Sequence, residues 1–166
     1  MIHVVVDDLA FIDADAIVRP ATASLETTTP SLRRLEQVGG PTFWQHLTVQ
    51  DPLPVGAAVV TGAGELAADL VIHAIITSVT EPVTVAGVCQ ALTSVWQRAA
   101  DWQLAHVAIP PIGTGAGNLS LEDAADVIRG ALRDFEHGPF PRQVTIVVQN
   151  EEEKAVFDAR LQHLPG

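Results

Sequence analysis

Six short apolar runs punctuate this chain and constrain its fold more than any other feature. They are IHVVV (2–6), AIV (16–18), AAVVT (57–61), LVIHAII (70–76), HVAIP (106–110) and VTIVV (144–148). Their apolar character is mostly continuous rather than alternating, which is the pattern of strands covered on both faces. Helices must supply that cover, and four segments qualify. In 84–104, Val85, Val88, Leu92, Val95, Trp96 and Ala99 form one stripe at helical spacing. In 120–136, Leu121, Ala124, Ala125, Ile128, Leu132 and Phe135 share a face, and Ser120 with Asp123 resembles a capping box. Segment 29–38 reads as a helix with Thr29 as N-cap and Pro30 at its first position. Segment 151–164 carries three glutamates where the helix dipole favours negative charge.

Strands alternating with helices point to an α/β three-layer sandwich, although periodicity leaves the strand order open. With 166 residues the expectation is one domain, 1–166, and DPLP (51–54) is a loop inside it because β-type residues resume directly afterwards. No internal repeat or low-complexity segment interrupts the pattern.

The glycines carry the next constraint. In IPPIGTGAGNLSLEDA (109–124), Gly113, Gly115 and Gly117 lie between a strand and a helix start. Without β-carbons they let backbone N–H groups approach a ligand, and the helix N-terminus adds partial positive charge, so a phosphate is the natural guest. Taken alone the pattern is neither a P-loop nor GxGxxG, and a plain chain reversal accounts for it as well. The formal net charge of -11 opposes binding to a nucleic-acid backbone but does not prevent a local nest of N–H groups from holding a small anion.

DAIV (15–18), VGAAVVTGAGELAADLVIHA (55–74) and VAIPPIGTGAGNLSLEDAA (107–125), in this order and spacing, resemble the macro domain family. The resemblance covers nearly the whole chain. It implies a mixed, mostly parallel six- or seven-stranded sheet between helices, and a cleft for ADP-ribose or a related nucleotide diphosphate. The diphosphate cradle maps to Ile112, Gly113, Thr114, Gly115, Ala116, Gly117 and Asn118. The family's adenine-binding acid falls on Asp8, with Leu9 alongside; a solvated turn ending the first strand explains Asp8 equally well. An ADP-ribosylated macromolecule is the partner class that this resemblance adds.

Three departures stand out. Where such domains read Asn-Ala-Ala-Asn before a glycine-rich loop, this chain has RPATASLETTTPSLRRL (19–35), with Arg19 and Thr22 in place of the asparagines. Thr22 lacks the amide that would hold the distal ribose, and the threonines and Pro30 stiffen the loop and remove a donor. At the end of the closing strand, the family's aromatic partner for adenine falls on Gln149 or Asn150, which offer no aromatic face.

Three functions follow from these residues. The first is a binding module for ADP-ribose. The second is an ADP-ribosyl hydrolase or O-acetyl-ADP-ribose deacetylase with a non-standard site, for which Glu26 is the nearest substitute carboxylate, since Ser31 and Leu32 stand where an acid is usual. The third is an interaction module with a degenerate cleft. His73, inside an apolar strand, reads as a hydrogen-bonded core residue. Thr61, Gly62 and Gly64 read as a tight turn, and Cys89 as inert packing. Phe43 and Trp44 read as ordinary helix packing.

His3, His46, His106, His137 and His163 show no metal-ligand spacing, so no metal and no cofactor are expected. One cysteine excludes an intrachain disulfide, and no apolar run is long enough to cross a bilayer. A cytoplasmic location without a membrane partner is the expectation.

Overall fold

The six apolar runs become the six strands of one sheet. The computed structural model describes all residues except 1, 30, 31, 41–43, 45, 46, 48, 116, 117 and 163–166. Its strands are β1 (Ile2–Val6), β2 (Ala16–Thr22), β3 (Ala58–Gly62), β4 (Leu70–Thr77), β5 (His106–Ile109) and β6 (Gln143–Val148). They lie in the order β1-β6-β5-β2-β4-β3. Every neighbouring pair is parallel except β3 with β4, so the sheet is mixed and mostly parallel.

Among the described residues, four helices cover the sheet: α1 (Arg33–Gly39), α2 (Val85–Asp101), α3 (Leu121–Leu132) and α4 (Glu151–Gln162). On one side Val18, Ile72, Leu92, Trp96, Ile128 and Ile146 pack beneath α2 and α3, and Phe157 docks α4 there. On the other, Leu9, Ile17, Leu35, Trp44, Leu66 and Val71 form a thinner layer beneath α1 and a 3-10 turn (Leu9–Phe11). Ile17 and Val18, adjacent in β2, serve opposite layers because successive strand side chains alternate. Burying a side chain such as Ile72 contributes about 2 kcal/mol over leaving it exposed, so both faces of each inner strand select apolar residues.

Local signals set most helix starts. Thr84 Oγ1 accepts from Gly87 N–H at the head of α2, and Ser120 Oγ accepts from Asp123 N–H at the head of α3. Three readings need correction. The first helix begins at Arg33, with no side-chain cap on Leu32, rather than at Thr29; Pro30 lies outside the described residues. Val85 is 48% exposed and Cys89 is exposed, because the buried stripe of α2 starts at Gly87 and Val88. β2 also runs on through Arg19 and Pro20 to Thr22, where the sequence shows a break. Pro20 is tolerated because β5 pairs only with Ala16 and Ile17, leaving that edge of β2 without a partner.

Candidate functional site

The divergence of β2 and β5 after Ile17 opens a crevice at the carboxyl ends of the strands. β5 leads to α3 on one face of the sheet, while β2 leads to α1 on the other. Parallel strands whose following helices part in this way leave a gap at their ends, the usual place for a ligand in open α/β sheets.

A cavity of about 500 Å³ fills that gap. Its walls include Pro20, Thr29 and Leu32 from the β2 side, and Pro110, Gly113, Thr114, Gly115, Asn118 and Ser120 from the β5 side. Gly113 and Gly115 take φ of 81° and 107°, a region that a β-carbon disfavours. Three carbonyls here are taken within the loop. Pro111 C=O accepts from Thr114 Oγ1–H at 2.7 Å, Gly113 C=O from Leu119 N–H at 2.9 Å, and Gly115 C=O from Asn118 N–H at 2.9 Å. Gly115 N–H faces Leu119 C=O in an isolated parallel bridge between Thr114 and Leu119, whereas Gly113 N–H has no hydrogen bond among the described residues. Gly113 N–H is thus one donor left over at this cavity, and what it can hold is an acceptor such as a phosphate oxygen.

A second cavity, of about 270 Å³, adjoins the first and shares Leu32, Pro110, Pro111 and Gln149 with it. Asp8 and Leu9 line it. Asp8 Oδ1 accepts from Ala10 N–H at 3.0 Å, capping the 3-10 turn, and Oδ2 accepts from Arg34 Nε–H at 2.6 Å. Arg34 is a partner that no sequence pattern announces, since 26 residues separate the two. Gln149 lies between the cavities, whereas Asn150 caps α4 by accepting from Glu153 N–H.

The other site residues read from the sequence fall elsewhere. Ile112 is fully buried beneath the loop. Ala116 and Gly117 lie outside the described residues, as do Phe43, His46 and His163. Thr22 and Glu26 line a separate groove with Leu53 and Thr77, and Thr22 Oγ1 accepts from the N–H groups of Ser24 and Glu26. Among the described residues, no group of His, Cys, Asp and Glu could hold a metal ion, and no helix is long and apolar enough to cross a membrane.

Beneath the β2 side of the cleft lies a buried polar chain. Arg19 is 1% exposed; its Nε–H donates to His73 Nδ1 at 2.7 Å and its Nη2–H to Leu25 C=O at 2.7 Å. Since Nδ1 accepts, Nε2 carries the proton and donates to Thr61 Oγ1 at 2.8 Å, which in turn donates to Gly62 C=O at 2.9 Å. The guanidinium also lies 4.9 Å from the centroid of Trp44, whose ring meets His73 edge-on. On the same face of the sheet, Thr27 Oγ1 donates to Glu36 of α1. Arg19 and Glu36 thus tie down residues 25–27, the segment that stands in for a glycine loop.

Burial pushes Arg19 down to about 10, with Glu36 opposing, so it stays cationic at neutral pH. Burial and then the Arg19 charge push His73 down to about 3. In the unfolded chain this imidazole takes a proton near 6.5, so between the two values the unfolded state binds more protons. Stability is therefore expected to fall as pH is lowered from about 6.5 towards 3, by at most about 1.4 kcal/mol per pH unit from this group. Urea unfolding at stepped pH measures that slope, and His73→Gln should flatten it.

Comparison with known proteins returns the same architecture. The Macro domain family model matches residues 18–128. An uncharacterised protein of Mycobacterium tuberculosis is 30% identical over 155 residues, covering 93% of this chain and 43% of that protein, so the chain spans less than half of that relative. The Oceanobacillus iheyensis macrodomain with ADP has a TM-score of 0.83 at 18% identity, covering 96% of this chain and 89% of that one. The Trypanosoma brucei macrodomain in complex with ADP-ribose has a TM-score of 0.84 at 19% identity, covering 96% and 68%. Matched over more than half its length and folded the same way, this chain belongs to the macro domain family.

Proposed function

We propose that this chain binds ADP-ribose, or a closely related nucleotide diphosphate, free or carried on a macromolecule. The diphosphate lies against the loop 112–118 and the base lies towards Asp8 and Leu9. One observation carries the reading: Gly113 and Gly115 hold φ of 81° and 107° in a loop that lines a cavity of about 500 Å³, with the Gly113 N–H left unspent there. The macrodomains of similar fold that hold ADP and ADP-ribose support the choice of ligand.

Binding is preferred over hydrolysis for a specific reason. Glu26, the nearest substitute for a catalytic acid, lines the separate groove, while Leu32 lines the cleft. Neither presents a carboxylate to the cavity beside the glycine loop, and the glutamate that does line it, Glu153, has its Oε1 taken by Gln149 N–H at 3.0 Å. Isothermal titration with ADP-ribose is expected to show saturable heat with a Kd below about 1 mM. A flat titration at millimolar ligand would sink the reading.

A further inference from the structure

The smaller cavity contains a cation whose place in the site the loop geometry does not explain. Arg34 and Asp8 are both well exposed, with side chains 57% and 36% accessible, so their ion pair contributes at most about 1 kcal/mol to stability. Its consequence is orientation. The Arg34 guanidinium lies over the Phe11 ring, with Cζ 5.5 Å from its centroid. Its Nε edge is held by Asp8 Oδ2 at 2.6 Å. Arg34 lines the cavity that runs on into the glycine-loop cavity through Leu32, Pro110, Pro111 and Gln149. Gln149, at the end of β6, offers no ring to that space.

We propose that Arg34, placed over Phe11 and held at its edge by Asp8, is the plate on which the ligand's heteroaromatic base stacks, and so contributes to affinity in this cleft. The inference rests on the proposed binding function and deepens it. A guanidinium is planar, delocalised and weakly hydrated, and it stacks on π-systems in a way that an ammonium group does not. Asp8 keeps its hydrogen-bonding use as well, because each carboxylate oxygen accepts more than one bond and an exocyclic amine can join Arg34 and Ala10 there.

The test is titration of ADP-ribose into the wild type, Arg34→Ala, Arg34→Lys and Phe11→Ala. Arg34→Ala and Arg34→Lys are both expected to raise Kd by about tenfold, the range of one base-stacking contact. Phe11→Ala should raise it less, and should cost nothing further when added to Arg34→Ala, because the ring acts through the guanidinium. Unchanged affinity in Arg34→Ala would overturn the plate, as would wild-type affinity in Arg34→Lys, which would assign the effect to charge alone. A wild type that binds ADP-ribose alongside unaffected variants refutes only this inference. A wild type that does not bind refutes the binding function too.

Discussion

Gly115→Val is expected to weaken ADP-ribose binding by about 100-fold, equivalent to about 2.7 kcal/mol. The backbone there has φ of 107°, which a β-branched residue adopts only with strain. A β-carbon built on Gly115 would meet the Thr29 methyl at 3.3 Å, and both residues line the larger cavity. A valine therefore grows across the gap between the loop and the β2 side. If the loop relaxes to a commoner φ instead, the bridge between Thr114 and Leu119 is lost and the loop changes shape beside the cavity. Either response removes the cradle. Strain of about 1–3 kcal/mol should lower the unfolding midpoint by several degrees without unfolding the chain at room temperature. Gly130→Ala is the control: a β-carbon at that exposed helical position meets nothing, so affinity should hold while helix propensity improves. Undiminished affinity in Gly115→Val would place the diphosphate elsewhere.

Arg19→Ala should cost about 3 kcal/mol of stability, measured by urea unfolding at pH 7. The truncation leaves His73 Nδ1 and Leu25 C=O without their donors and empties the space beside Trp44. Both orphaned acceptors lie where water has little access, so the lost bonds are not replaced. Arg19→Met should cost less, since it keeps the length of the side chain while removing a charge that is expensive to bury. The substitution should also weaken ADP-ribose binding, because Leu25 anchors the segment leading to Thr29 and the cavity wall. A loss below about 1 kcal/mol for Arg19→Ala would mean that the chain from Arg19 to Thr61 does not hold this layer together.

Much of the architecture was legible because it rests on local chemistry. Each apolar run became a strand, and Thr84 and Ser120 capped the helices that follow them. The glycine loop was visible for the same reason: it is contiguous, and residues 113–115 with 118 lie along one wall of the cavity. Asp8 lies at the second cavity, yet its pairing with Arg34 depends on how α1 docks beside the 3-10 turn. Thr22 marks a limit of reading by position. Its hydroxyl is spent on the backbone of the turn that follows, and its side chain lines another groove.

Arg19 shows where reading along the chain fails. An arginine before a proline signals the end of a strand, since charge belongs in water and proline cannot extend a ladder on both sides. Here the strand continues because β5 stops early and His73, 54 residues away, supplies the acceptor that makes burial tolerable. Val85 and Cys89 fail in the opposite sense, lying at spacing or composition typical of a core yet exposed where α2 overhangs its cover.

Residue order alone determined which segments became strands and helices, and where a glycine-rich turn would join β5 to α3, because those outcomes depend on neighbours within one turn or one strand. Only the tertiary structure decided which charges are buried, which carboxylate is already paired and which side of the crevice each residue faces. Those depend on partners brought together by packing, and the free energy of a buried or paired charge is set by its surroundings rather than by its place in the chain.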